Sequence, residues 1–204
     1  MRPLLGGLVL AALCSPLRTA AAQGADLAAR SKGRPDAPIT VYEMSDFECP
    51  YCREFALETL PVLEREYFAT GKARLIYINF PLASVHAHAL AAARVALCAA
   101  RQGKFWPVHD LLFQRQPQWA VQADPAGYLT ALADSGGTNP ARLAACLASA
   151  ASERAVAADL AAAARSGAQS TPTFYIEGGL IEGAAPAAVF RAVLDSIYRA
   201  KTSR

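Results

Sequence analysis

The stretch Val41-Tyr42-Glu43-Met44-Ser45-Asp46-Phe47-Glu48-Cys49-Pro50-Tyr51-Cys52 decides the fold. With Ile39 and Thr40 before it, its β-branched and aromatic start reads as a buried strand. Its end, Cys49-Pro50-Tyr51-Cys52, puts proline where a helix begins, which makes Cys49 the N-cap and Cys52 the third helical residue. Phe55, Leu57, Leu60, Leu63 and Tyr67 continue at helical spacing toward Gly71, and Pro61 is expected to kink or split that helix. Ala73 to Phe80 then reads as a second strand. Strand, helix and strand in this order form a βαβ unit.

Further along, Ser84 to Gly167 is rich in Ala and Leu and reads as about four short helices. Asp124-Pro125 and Asn139-Pro140 each set a capping side chain before a proline, and Ser152-Glu153 is expected to open a helix that stops at Gly167. The tract Ala161 to Ala164 is expected to let these helices pack closely. Strand character returns at Thr173 to Ile176 and at Leu180-Ile181, so Glu177-Gly178-Gly179 is the turn of a hairpin. Pro186 opens a last helix with Val189, Val193, Leu194 and Ile197 on its apolar face. The fold class is α/β: a mixed sheet with helices on both faces, interrupted by a helical insertion.

The start of the chain reads as a targeting segment. Arg2 precedes the uncharged stretch Leu4 to Cys14, too short for the ~20 residues of a membrane-spanning helix, and small residues follow up to Ala22. Residues 1–22 are therefore expected to be a signal peptide cleaved after Ala22, and 23–38 a loose lead-in to the first strand. Cleavage removes Cys14, which leaves Cys49, Cys52, Cys98 and Cys146, an even count that makes disulfides plausible in an exported protein. The composition, 53% apolar and 18% charged, excludes a disordered chain, and a net charge of +3 without a basic run argues against a nucleic-acid partner.

Cys49 and Cys52 carry the chemistry. A sulfur at a helix N-cap is placed to accept hydrogen bonds from the free N–H groups of Tyr51 and Cys52, and the helix dipole favours its thiolate. A stabilised thiolate stabilises the dithiol, which makes the disulfide a stronger oxidant. A static disulfide or half a zinc site stand as alternatives. Zinc needs about four ligands, and His86 and His88, two residues apart on a helix, face different ways.

The run from Val41 to Cys52 resembles the active-site strand and helix of thioredoxin-fold disulfide oxidoreductases of the DsbA family. Ser170-Thr171-Pro172-Thr173-Phe174 is similar to that family's cis-proline segment, and Lys104 to Asp110 with Leu112-Phe113 to its helical insertion. The resemblance implies a thioredoxin-like domain built from 39–81 and 168–204, with 82–167 inserted. It makes Cys49 the nucleophile, Cys52 the resolving thiol, and Pro172 a cis-proline that with Thr171 faces the cysteines and presents backbone to substrate. Pro50 and Tyr51 would complete the substrate-facing turn. Glu43, six residues before Cys49, matches a buried carboxylate that relays the proton of the resolving cysteine; a surface position on an edge strand is its alternative. Strand alternation puts Glu43 on the face of Val41, so a buried Val41 means a buried Glu43.

The resemblance further implies a periplasmic protein that oxidises reduced or unfolded secreted proteins. It would use its redox-active disulfide without a further cofactor or metal, and be reoxidised by a quinone-linked membrane partner of DsbB type. With 23–38 alone ahead of the first strand, there is no long dimerisation segment, and a monomer is expected. The Pro-Tyr dipeptide departs from the Pro-His of the strongest oxidants, so the potential should be less oxidising than ~ −120 mV. A disulfide isomerase or reductase of the same fold, one serving metal-stress tolerance included, is the first alternative. A copper- or zinc-binding protein using Cys49 and Cys52 is the second. Some DsbA-like proteins have a further disulfide in the insertion, which implies a Cys98–Cys146 bond; two buried free thiols are the alternative. His109 reads as a packed helix residue, His86 and His88 receive no role, and Phe47, Tyr51 and Phe80 are expected to form an exposed apolar rim.

Overall fold

The computed structural model describes residues 24–203, so the expected signal segment lies outside the described residues. A short helix over residues 24–29 (α1) leads into strand β1, Ser31–Lys32. β2 is Ile39–Ser45, β3 Ala73–Asn79, β4 Thr173–Ile176 and β5 Gly179–Glu182. They form one sheet in the order β1-β3-β2-β4-β5, in which β2 and β3 run parallel and every other pairing is antiparallel. The region 23–38 is thus not loose along its described length. β1 pairs with β3 through Ser31 opposite Ile76, and the buried Arg30 binds Asp159 bidentately. A fully desolvated guanidinium needs such a partner, and the sequence separates the two by 129 residues, which hides the pairing.

Helix α2 starts at Pro50 and runs to Phe68 in four pieces: Pro50–Glu54, Phe55–Thr59, Leu60–Leu63 and Glu64–Phe68. The second and fourth are wide π-turns. Pro61 has no N–H to give, and the turn ahead of it widens as expected of a proline in a helix. The insertion holds six helices rather than four: α3 Ala89–Ala100, α4 Phe105–Gln114, α5 Gln116–Trp119, α6 Ala126–Ser135, α7 Pro140–Leu147 and α8 Ala150–Arg165. Asn139 caps α7 by accepting the Arg142 N–H at 3.0 Å. The cap of α8 is Ser149, not Ser152, which lies buried inside the first turn. Asp124 accepts the Ala126 N–H at 2.9 Å, one residue later than a Pro125 start would give. Helix α9, Ala187–Thr202, follows Pro186 as its cap.

Two layers flank the sheet. Ile39, Val41, Leu75 and Phe174 pack with Phe55, Leu63, Phe190 and Leu194 of α2 and α9. Met44, Ile76 and Ile78 on the other face meet Ala163 of α8. Of the tract Ala161 to Ala164, Ala163 alone is buried; close helix packing falls instead to α3, where Ala89, Ala92, Ala93 and Ala96 are buried. The β4–β5 turn places Glu177 at φ 47° and Gly178 at φ 90°, the left-handed pair that a two-residue hairpin favours.

Candidate active site: a dithiol at the start of helix α2

The chain leaves β2 at Ser45, turns through Asp46-Phe47-Glu48, and enters α2 at Pro50. Cys49 sits at the N-cap with extended backbone (φ −71°, ψ 124°), and Cys52 lies inside the first turn, fully buried. Both are thiols. The Cys49 sulfur makes no cap bond to the helix amides; instead it donates to the Thr171 carbonyl at 3.3 Å. The Thr171–Pro172 peptide bond is cis, and this segment lies directly against the nucleophile position.

The two thiols differ sharply. Cys49 is pulled down to about 6, chiefly by the neighbouring Cys52 thiol, against the opposing effect of burial; Thr171 and the N–H groups of Tyr51 and Cys52, which point toward the sulfur without closing a cap bond, lower it further. Cys52 is pushed well up, first by burial and then by Cys49, while the Asp46 N–H that reaches its sulfur at 3.4 Å works the other way. Exchange proceeds through a thiolate, so the lowered Cys49 is the reactive sulfur of the two.

Beneath the pair lies a buried polar group. Glu43, in the centre of the sheet rather than at an edge, is fully enclosed, and burial raises its carboxyl to about 8. It stands opposite Tyr77 in the β2–β3 register. Burial, then Glu43 and Cys52, push the Tyr77 hydroxyl well above its usual range. Neither oxygen of Glu43, nor the Ser45 or Tyr77 hydroxyl, has a hydrogen-bond partner. Unpaired buried polar atoms are costly, and their clustering beside a reactive pair marks a functional site.

The insertion grips the cysteine turn. Gln116, at the start of α5, donates through Nε2 to the Phe47 carbonyl at 2.7 Å and the Cys49 carbonyl at 3.0 Å. Arg53 Nε donates to the Phe113 carbonyl at 3.1 Å. Phe47 is buried between Tyr77 and Phe113, each with its ring centroid 5.0 Å away, and Phe80 is buried too. The expected apolar rim therefore reduces to Tyr51, which is 61% exposed beside the exposed Pro50. Phe47 is drawn inward because its neighbours in α4 are aromatic. His109 is fully buried among those aromatics, and burial lowers its pKa. Cys98 and Cys146 are joined as a disulfide between α3 and α7, remote in sequence from the cysteine turn. Asp46, Gln116 and Tyr77 had no role in the sequence reading. Asp46 lay inside the quoted run, but nothing in its spacing shows that its side chain turns inward. Among the described residues no three His, Cys, Asp or Glu side chains converge as metal ligands.

The family profile described as Thioredoxin matches residues 27–196. The probable disulfide bond formation protein D of Bacillus anthracis is 40% identical over 87 residues, 43% of this chain and 40% of that protein. The Na(+)/H(+) antiporter NhaA of Herminiimonas arsenicoxydans is 37% identical over 168 residues, 82% of this chain but 25% of the antiporter. The chain thus spans about two-fifths of the length of the first of these relatives and less of the second. In structure it is similar to oxidised BdbD of Bacillus subtilis (TM-score 0.75, 24% identity, 83% of this chain and 92% of that one). It is also similar to α-DsbA1 of Wolbachia pipientis (TM-score 0.73, 22% identity, 83% and 90%). With the sheet order, the insertion and the dithiol all in place, the chain belongs to the thioredoxin family and has a DsbA-like fold.

Proposed function

We propose that the protein is an exported thiol–disulfide oxidoreductase that introduces disulfides into reduced, unfolded secreted proteins in the periplasm. The observation that carries this reading is the asymmetry of the pair: a Cys49 thiol drawn down to about 6 beside a Cys52 thiol driven up, at a helix start facing a cis-proline. In the oxidised form a substrate thiolate attacks Cys49 Sγ and the Cys49–Cys52 bond breaks. Cys52 leaves as a thiolate and takes up a proton, for which Glu43, protonated at neutral pH, is the nearby source. A second substrate thiolate then attacks the substrate sulfur of the mixed disulfide and expels Cys49. A thiol of low pKa is a good leaving group, so this step releases an oxidised substrate. The enzyme ends as the dithiol, and a quinone-linked membrane partner of DsbB type removes the two electrons and two protons.

Thr171 and Pro172 offer an extended substrate main-chain contacts, and exposed Tyr51 with Pro50 borders the attacked sulfur. No cofactor beyond the disulfide enters the cycle, residues 1–22 direct export, and the protein works as a monomer. Names of relatives such as disulfide bond formation protein D support the reading. The test is stoichiometric: mix the oxidised protein with a reduced, unfolded multi-cysteine protein and follow substrate thiols with quench and mass analysis. Loss of two substrate thiols per Cys49–Cys52 pair is expected. Rescue of a scrambled substrate with no net oxidation would assign the protein to isomerase work instead.

A further inference from the structure

Asp46 aims every polar group it has at the cysteine turn or at the loop that covers it. Its backbone N–H donates to Cys52 Sγ at 3.4 Å, and its carbonyl accepts the Cys49 N–H at 3.1 Å. Its carboxylate, wholly buried, accepts the Glu48 N–H on one oxygen at 2.8 Å. The other oxygen accepts the Leu82 N–H at 2.8 Å and faces His86 Nδ1 at 2.9 Å. A carboxylate only accepts, so the ring nitrogen is the donor. The peptide plane whose N–H reaches the buried sulfur is held at its other end by the Phe80 N–H, which donates to the Ser45 carbonyl at 2.8 Å, and four side-chain and main-chain bonds hold Asp46 itself. Two of them come from the loop of residues 82–86, outside the cysteine turn.

We propose that Asp46 is a positioning residue for the resolving sulfur, and that His86 is the anchor that holds it there. The inference rests on the reading of Cys49–Cys52 as a redox pair. When a substrate thiolate attacks Cys49, negative charge appears on the fully buried Cys52 Sγ, which receives a hydrogen bond from the Asp46 N–H. A hydrogen bond to an ionised group is about twice as strong as one between neutral groups, so the Asp46 N–H gains strength as the sulfur departs. Tyr51, between the cysteines, supplies no positive charge for this purpose. The covering loop does the stabilising indirectly, by keeping one amide in line.

His86 is suited to the anchoring part. Its side chain is one-fifth exposed, it sits on a turn outside regular structure, and its ring bonds to Asp46. A second contact joins the same segments without touching the Asp46 carboxylate: Glu48 Oε2 accepts the His88 N–H at 2.6 Å. That contact separates positioning from mere stapling of the two segments.

The experiment is the equilibrium of the Cys49–Cys52 pair with glutathione in the full mature protein, measured for wild type, His86→Ala, His86→Gln and Glu48→Ala. Each variant's folding is checked by its thermal transition in the disulfide form. His86→Ala is expected to shift the equilibrium about three- to tenfold toward the disulfide, up to ~30 mV for a two-electron couple, and to slow reduction by a similar factor. His86→Gln, whose amide can still donate to Asp46, is expected to recover most of the shift. Glu48→Ala, which removes that acceptor, is expected to stay within about twofold of wild type, the scale of a surface contact. If His86→Ala also stays within twofold, or if Glu48→Ala shifts as far as His86→Ala, the proposal is overturned. If His86→Ala fails to fold, His86→Leu, which fills the space without a donor, takes its place under the same criteria. A wild-type pair that does not equilibrate with glutathione at all would instead remove the redox reading itself.

Discussion

The described residues hold two pairs of cysteines, and they are built from opposite ingredients. Cys49 and Cys52 are three residues apart within a single turn of helix, at a site where sheet, helix and cis-proline segment meet. Polar groups without partners lie below them, and their surroundings split the two thiols in opposite directions. Cys98 and Cys146 are 48 residues apart on two helices of the insertion, in a cluster of alanine, leucine and aromatic side chains. Arg101 Nη1 donates to Cys146 Sγ at 3.8 Å, but neither sulfur, being in a disulfide, titrates. Sequence separation explains much of this contrast. A short link gives little chain-entropy benefit, so such a bond is cheap to open and serves chemistry, whereas a long loop makes a bond a structural constraint.

The largest effect that could break this comparison is on exchange activity. Cys49→Ser is expected to abolish net oxidation of a reduced substrate protein. Cys52→Ser, given a disulfide-bearing protein, should instead attack that disulfide through Cys49, release one substrate thiolate and hold the other sulfur in a mixed disulfide that no Cys52 thiol can resolve, visible as a mass adduct on non-reducing gels. The paired change Cys98→Ala with Cys146→Ala should keep the activity of the folded enzyme. If that change removed activity while the protein stayed folded, the two pairs would not be functionally separate. For stability the order reverses: loss of the Cys98–Cys146 bond should cost about 4 kcal/mol, less any residual denatured-state structure, in urea unfolding.

The pH dependence sharpens the contrast further, because it belongs to one pair alone. A Cys49 thiol near 6 predicts that alkylation of the reduced protein has its midpoint near pH 6, while a free cysteine requires more alkaline solution. A depressed folded pKa means that this thiolate contributes stability above its unfolded value and loses it as pH falls toward 6. Glu43 has the opposite sign. Its raised pKa makes the folded protein hold a proton that the unfolded chain has released, so stability falls as pH rises from about 4.5 to about 8. In the disulfide form Cys49 no longer titrates, which leaves the Glu43 slope uncovered. Glu43→Gln should therefore flatten the pH dependence of oxidised-protein stability between those values, as chemical unfolding at a series of pH values would read it. Equal slopes in variant and wild type would mean that Glu43 is not protonated in the native state.

Much of this was legible in the sequence, and the gaps have physical reasons. The order of strands and helices followed from periodicity and from proline and glycine positions. The burial of Glu43 followed from alternation with Val41, since a central strand is covered on both faces. Long-range partners were not legible. Arg30 with Asp159, Asp46 with His86, and Gln116 with the Phe47 and Cys49 carbonyls are each fixed by tertiary packing, which one sequence does not encode locally. Phe47 and Phe80 were misplaced on the surface for the same reason. A loop residue beside an active site shows no period, and only the aromatic neighbours supplied by the insertion reveal that Phe47 turns inward. The helix count of the insertion is the least legible feature, because α5 is four residues long and α3 and α4 begin without a capping side chain.

The most direct test of the account follows both pairs at once. The mature protein is equilibrated across a series of glutathione redox buffers, quenched with acid, alkylated, and each cysteine quantified by peptide mass. The account predicts that Cys49 and Cys52 convert together in one two-electron step, at a potential above roughly −200 mV, while Cys98–Cys146 stays oxidised throughout. A Cys49–Cys52 bond that persists in reducing buffers, or a Cys98–Cys146 bond that opens first, would contradict it.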